Sequence, residues 1–366
     1  MRAAVCRRHG EPLEIEELAL DPPGPGEVRV RLAACAVCHS DLHFLHGDWG
    51  GELPAVFGHE AAGVVEAVGP EVSAVQQGDH VVVHLVRSCG ECFYCLRGAP
   101  QMCESELPLD RRSPLRDRAG LAVAQGLRTG AFAEEVLVDR SQVVKVPDSL
   151  PLDLACLLAC GVMTGIGAVT DTAHVPPGAS VVVIGAGGVG LNSIQGAALS
   201  GADPVIAVDV AESKLGVAAT FGATHGIEAS HADAAAQVRS LTGGRGADYV
   251  FVTVGSETAI EEGLGMLRPL GTLVVVGMPP SGVRFGVVAV DFADAGLRLL
   301  GSKMGSSDPA LAVPRLTGLY EQGRLKLDEL ISARYPLEEI NEAIAGVEQG
   351  TANRNVIVFP PGPGAA

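Results

Sequence analysis

The chain has 366 residues, of which 47% are hydrophobic and 19% charged. At about 150 residues per domain this length implies two domains, and so apolar a chain is not a disordered one. The net charge of −17 repels phosphate backbones and anionic lipids, which argues against nucleic acid and membrane surfaces as partners. Abundant glycine (47 residues) with only 4% aromatics suits an α/β fold rich in tight turns.

The opening MRAAVCRRHGEPLEIEE lacks the apolar core of a signal segment, so no export is expected. Nine cysteines, an odd and clustered set, point to a reducing cytoplasm with thiolates serving as metal ligands. Residues 28–35, 60–69 and 79–85 are short β-branched runs bounded by Gly, Pro and Asp, so the first 150 residues read as β-rich. Residues 104–130 show no periodicity and are expected to form a long loop. Near residue 152 the texture changes. An apolar, helix-length run (152–169) is followed by uniformly apolar strands at SVVVIGA, PVIAVDV, DYVFVTV and GTLVVVGM. These alternate with helices near 188–200, 212–221 and 257–267, the signature of a parallel sheet covered on both faces. Residues 172–202 carry no charge, but Pro176, Pro177 and the glycine run at 185–190 make them buried interior rather than a membrane span. Two further helices (309–322 and 337–349), a last strand RNVIVF and a PPGPGAA tail complete the chain.

Three constellations carry chemistry. Cys89, Cys92, Cys95 and Cys103 have the close spacing of a closed, tetrahedral Cys₄ zinc site whose task is to pin a loop. Cys38, His59 and Cys160 are far apart in sequence and weak singly. Two thiolates, one imidazole and an open position nevertheless describe a catalytic zinc. Gly185-Ala-Gly187-Gly188-Val189-Gly190 follows a strand and opens a helix, and Asp209 ends the next strand 19 residues after Gly190. That spacing brings a carboxylate to the adenosine ribose of a dinucleotide. The acid, with no arginine after it, favours NAD over NADP.

In order along the chain, CHSD, GHEAAGVVEAVG, the clustered cysteines, ACGVMTG, GAGGVG and AVDVAESK make it resemble the zinc-dependent alcohol dehydrogenases of the medium-chain dehydrogenase/reductase family. The resemblance covers essentially the whole chain, and the long 104–130 segment is similar to that of the dimeric, longer-chain branch. It implies a GroES-like, β-rich catalytic domain built from residues 1–160 and 301–366 and a Rossmann doubly wound parallel sheet at 161–300. Two zinc ions per chain are implied, catalytic on Cys38, His59 and Cys160, structural on Cys89, Cys92, Cys95 and Cys103. Ser40 matches the hydroxyl that receives the substrate proton, and His43 the histidine ending the relay. Asp41 and Glu60 match carboxylates that orient the ligands and balance charge. His39 and Arg354 match cations on the pyrophosphate, Thr164 and Val189 neighbours of the nicotinamide, and Lys214 a lysine near the adenosine ribose. Trp49, Leu85, Phe132 and Met278 match an apolar substrate pocket. Cys6, Cys35 and Cys156 take no role and are expected in the core.

The expectation is therefore a cytoplasmic, homodimeric, NAD-dependent oxidation of a primary aliphatic or aromatic alcohol to the aldehyde. Two other readings stay open. One is a dehydrogenase of a thiol–formaldehyde adduct, kept in view by Arg111, Arg112, Arg116 and Arg118 and opposed by Trp49. The other is a non-catalytic zinc- and NAD-binding redox sensor, which would need no Ser40–His43 relay.

Overall fold

The computed structural model describes residues 1–229 and 233–360. All but the first residue of the PPGPGAA tail lies outside them. The chain divides into two compact units, Met1–Cys160 with Asp308–Ala366, and Gly161–Ser307. The second unit thus runs seven residues beyond the expected end at 300. Strand Arg298–Gly301 is the last strand of its sheet, and Ser307 donates to Asp171 Oδ2 of the same unit (2.7 Å).

The first unit is built on strand Glu27–Ala36, whose apolar side chains are buried along most of its length. It pairs antiparallel with Glu60–Val68, Glu135–Asp139 and Arg354–Val358, within a seven-stranded sheet. The last of these returns from the end of the chain, with Val356 opposite Ala36. At Gly63 the neighbouring strand comes so close that a Cβ would stand 2.1 Å from the Arg31 carbonyl oxygen, so only glycine fits. The core beneath includes Val28, Val30, Phe57, Phe132, Ile340 and Ile357.

Segment 104–130 is not the expected irregular loop. It contains a short helix, Pro108–Arg111, and strands Leu115–Arg116 and Ala122–Gln125, which pair antiparallel inside a second, six-stranded sheet. Elements of two to four residues are too short to show a period. What holds the segment is Arg87, 1% exposed. Its guanidinium donates to Gln142 Oε1 (2.8 Å), Asp110 Oδ1 (3.0 Å) and the Arg128 carbonyl (2.8 Å). A planar fork with five donors suits such a hub, and each partner repays part of the cost of burying the charge.

In the second unit, six parallel strands run in the order His225–Glu228, Val205–Asp209, Val181–Ile184, Ala247–Val252, Leu267–Val275, Arg298–Gly301. In chain order this is 3-2-1-4-5-6, the doubly wound arrangement whose ligands bind where the order reverses, at the carboxyl ends of the first and fourth strands. Strand Val181–Ile184 is buried throughout, and helix Gly188–Leu199 follows it directly.

The run at 152–169 is not one helix. It breaks into Leu152–Ala155, Cys156–Ala159 and Gly161–Gly167, with Cys160 at φ −145°, ψ −71° between them. Among the described residues no single helix is long and apolar enough to cross a membrane, and the bent pair around Cys160 is buried.

Candidate active site

Strand Glu27–Ala36 delivers Cys38 to the N-cap of helix His39–His46. Strand Glu60–Val68 begins beside His59, and the break after Ala159 turns Cys160. These segments bring Cys38, His59, Glu60 and Cys160 together, all buried, with one ligand atom from each within 4.8 Å of every other. Asp41, 0% exposed, organises the set. Its Oδ2 accepts from Cys38 N–H (3.0 Å), and its Oδ1 accepts from Gly58 N–H (2.9 Å) and faces His59 Nδ1 (3.1 Å). In the neutral ring, a carboxylate on Nδ1 keeps the proton there and leaves Nε2 as the lone pair. His59 Nε2 is buried without a hydrogen-bond partner. Once the ring gives up its second proton, two thiols and an imidazole nitrogen form a donor set that fits zinc.

Without metal the neighbouring groups set the protonation states. A hydrogen bond from Cys160 holds the Cys38 thiol well below its ordinary range against the cost of burial, with help from His59 and Arg354. Cys160 is pushed well up by the same hydrogen bond and by burial. Burial alone would lower His59, but Asp41 outweighs it and holds the imidazole well above its usual value. Burial raises Glu60 to about 8, with Arg354 opposing. Arg354 is itself 3% exposed, with Nη2 3.6 Å from Glu60 Oε1.

Cys89, Cys92, Cys95 and Cys103 form the other cluster, again within 4.8 Å of one another. Cys92 N–H donates to Cys89 Sγ (3.2 Å), Cys89 N–H to Cys103 Sγ (3.4 Å) and Ser105 Oγ to Cys89 Sγ (3.2 Å). Backbone N–H groups of Cys95 and Glu104 pull Cys92 down to about 6, while burial pushes Cys95 up to about 12. Such N–H···S bonds favour thiolates, and Gly90 and Gly98 supply the left-handed turns (φ 78° and 73°) that fold the segment around them.

In the second unit, a Cβ at Gly190 would lie 1.7 Å from the Gly185 carbonyl oxygen, and Gly185 has φ 94°. A Cβ at Gly187 would meet nothing within 4 Å, so the helix N-terminus of Gly188–Leu199 opens onto free space that a pyrophosphate can approach. Val189 is half-buried in the first turn of that helix. Asp209 Oδ2 accepts from Ala186 N–H (2.7 Å) and Oδ1 from Ala211 N–H (3.0 Å). Its carboxylate therefore also braces the glycine loop. Thr164 is buried, with its hydroxyl 3.9 Å from Met304 Sδ, and Lys214 is half-buried in the first turn of Glu212–Thr220.

Ser40 and His43 share one face of helix His39–His46, three residues apart, and His39 is exposed at its first position. Trp49 lies against His43, with ring centroids 4.5 Å apart. Leu85 is half-buried, and Met278, in the second unit, is 55% exposed. Phe132 corrects the expected pocket: it is 0% exposed, its N–H donates to the Phe57 carbonyl (2.8 Å), and it belongs to the core. The basic run is occupied as well. Arg111 pairs with Glu106 (2.9 Å), Arg112 with Glu27 (2.7 Å), Arg116 with Asp21 (4.0 Å) and Arg118 with Glu17 (2.7 Å). Cys6, Cys35 and Cys156 are buried as expected. Sequence reasoning missed Arg87 and Asp48. The signal for the latter was an acid just beyond a glycine that ends a helix carrying a histidine.

Residues 24–148 match the family described as alcohol dehydrogenase GroES-like domain, and residues 188–317 match the zinc-binding dehydrogenases. The NDMA-dependent alcohol dehydrogenase of Amycolatopsis methanolica is 40% identical over 98% of both chains. The chain belongs to the zinc-dependent alcohol dehydrogenases of the medium-chain family. Solved relatives include an alcohol dehydrogenase zinc-binding domain protein from Burkholderia ambifaria (TM-score 0.94, 36% identical, 98% and 99% coverage). Benzyl alcohol dehydrogenase from Acinetobacter calcoaceticus superimposes with a TM-score of 0.91 at 34% identity, covering 98% of this chain and 99% of that one.

The Asp41 bridge and the raised Cys160 and His59 give a testable consequence. Without metal both groups are held towards their protonated forms and must lose their protons to ligate. Zinc uptake at this set should therefore release protons and tighten as pH rises. Asp41→Ala should weaken it by about 10- to 100-fold, as loss of a histidine-orienting carboxylate does. Chelator competition checks both. Affinity independent of pH and unchanged in the variant would remove Asp41 from the site.

Proposed function

We propose that this protein oxidises a primary aliphatic or aromatic alcohol to the aldehyde, reversibly, with zinc and NAD. The observation that carries this reading is the buried set of Cys38, His59 and Cys160 around an unpartnered His59 Nε2. In this reading these three residues hold a catalytic zinc. Glu60, whose carboxylate falls in the same cluster, balances its charge. Cys89, Cys92, Cys95 and Cys103 hold a structural zinc. Cys38, His59 and Cys160 would hold a zinc ion that would supply Lewis acidity to the alcohol oxygen, and NAD would supply the hydride acceptor.

The chain's own residues do the rest. Gly185, Gly187, Gly188 and Gly190 let the pyrophosphate approach the helix N-terminus, and His39 and Arg354 keep the cationic role that the family resemblance implies. Asp209 accepts from the ribose hydroxyls, with Lys214 near them, and Thr164 and Val189 pack beside the nicotinamide. Ser40 takes the alcohol proton, since a hydroxyl donates and accepts at once. His43 passes it towards solvent. Trp49 and Leu85 give the pocket apolar lining, and the arginines at 111–118 are paired with acids rather than reserved for an anionic substrate. Clustered cysteines that serve as zinc thiolates suit a reducing compartment such as the cytoplasm. Cell fractionation that placed the protein in an oxidising compartment would contradict this.

The Amycolatopsis relative is named for dependence on NDMA, so the identity of the final acceptor is the sharpest question. Aliphatic and benzylic alcohols should reduce added NAD⁺ with no NDMA present, and NADP⁺ should serve poorly. Turnover only with NDMA would overturn NAD as a freely exchanging co-substrate.

A homodimer completes the reading. Strand Arg298–Gly301 is an edge of the parallel sheet, and Val288, Val290 and Leu299 nearby are 63%, 70% and 37% exposed. Such an edge is an aggregation hazard unless covered, and pairing with the same strand of a second copy covers it and continues the sheet. Sedimentation should give twice the chain mass, with Leu299→Lys shifting the protein to monomer. A monomeric wild type would contradict the dimer.

A further inference from the structure

Helix His39–His46 ends at Gly47, whose φ of 83° reverses the chain. Asp48 N–H then donates to the His43 carbonyl (2.9 Å). The reversal swings the Asp48 carboxylate back over the helix, so that its Oδ2 stands 2.7 Å from His43 Nδ1. The next residue, the chain's only tryptophan, lays its ring on the imidazole at 4.5 Å and 25°. Phe44 meets that indole edge-on (5.4 Å) and stacks on Phe57, which is 2% exposed and part of the core. The imidazole is thus gripped by a carboxylate at one nitrogen and an indole on one face, and the grip is anchored in the core. Neither Asp48 nor this clamp is needed to form the helix, which its glycine cap already ends.

We propose that Asp48 is a positioning residue that fixes the tautomer of His43, keeping the proton on Nδ1 and the lone pair on Nε2. This rests on the reading of His43 as the outer member of the proton relay. The chemistry is simple. An ionised carboxylate only accepts hydrogen bonds, so the imidazole nitrogen facing it must carry the hydrogen. Nε2 is then the nitrogen able to take a proton from the relay. One N–H bond forms there as the O–H bond of the relay donor breaks, and the proton next leaves Nε2 for water or a buffer base. No electrons change hands. Without Asp48 the ring would be free to hold its proton on Nε2, where it blocks the transfer. Trp49 accordingly acts on His43 as well as on the pocket.

The isosteric Asp48→Asn variant tests this, because an amide can donate to Nδ1 and so reverse the tautomer while the fold stays intact. Nitrogen NMR of protein labelled with ¹⁵N-histidine, with His43 assigned from His43→Gln, reads the tautomer without any need for activity. The wild type should show neutral His43 protonated at Nδ1, and Asp48→Asn should move the proton to Nε2. In steady-state oxidation, Asp48→Asn should lower kcat with little change in the KM for alcohol. Its loss should not exceed that of His43→Gln, up to about 10²-fold for one general base. It should cost nothing further in the His43→Gln background. A wild-type His43 protonated at Nε2, or an equal loss from Asp48→Asn with and without His43, would overturn the proposal. If the NMR result is as expected but His43→Gln turns over like the wild type, the relay reading itself falls, and Asp48's part in turnover with it.

Discussion

The buried Asp41 carboxylate holds three groups at once, the Cys38 N–H, the Gly58 N–H and the His59 imidazole. Two of these belong to the loop before one strand and the third to the end of another, so a single side chain fixes the distance between two metal-ligating segments. It also decides the tautomer of His59, and hence which nitrogen faces the thiols. A buried carboxylate without partners would be costly, and here every partner is part of the site. The surrounding strands, Glu27–Ala36 and Glu60–Val68, are the rigid platform that makes so short a bridge possible.

The same eight-residue helix serves several functions through its period. Cys38 caps it, Ser40 and His43 fall on one face, and Asp41 points into the core. The glycine that ends the helix then returns Asp48 to His43, much as Asp41 serves His59. Two histidines are each held at Nδ1 by an aspartate close in space, one fully buried and aimed at the thiols, the other 19% exposed. The pattern suits their proposed tasks, since a ligand must keep its lone pair inward while a proton carrier must reach solvent.

Much of this was legible in the sequence, and for reasons that differ by element. The parallel strands at 181–184, 205–209, 247–252 and 267–275 stood out because burial on both faces makes them uniformly apolar. The cysteine cluster and the glycine loop stood out because their chemistry demands local spacing. Strands such as Leu115–Arg116 and His225–Glu228 were hidden by their brevity or their exposed, polar composition. The break at Cys160 was invisible because its run is apolar on both sides. Phe132 was misplaced because an aromatic residue in a core and one in a pocket wall look alike in one dimension, and packing under Gly58 decides between them. The Arg87 hub could not be read at all, since its partners Asp110, Arg128 and Gln142 come together only through the fold.

The proposed reading requires two chemically distinct metal centres, one of four thiolates and one of two thiolates with an imidazole. Metal analysis joined to X-ray absorption at the zinc edge tests it most directly. Two zinc ions per chain are predicted, with an average of three sulfur neighbours at about 2.3 Å and a remaining nitrogen or oxygen neighbour at about 2.0–2.1 Å. One zinc per chain surrounded by sulfur alone would leave the Cys38–His59–Cys160 set without its metal and contradict the account.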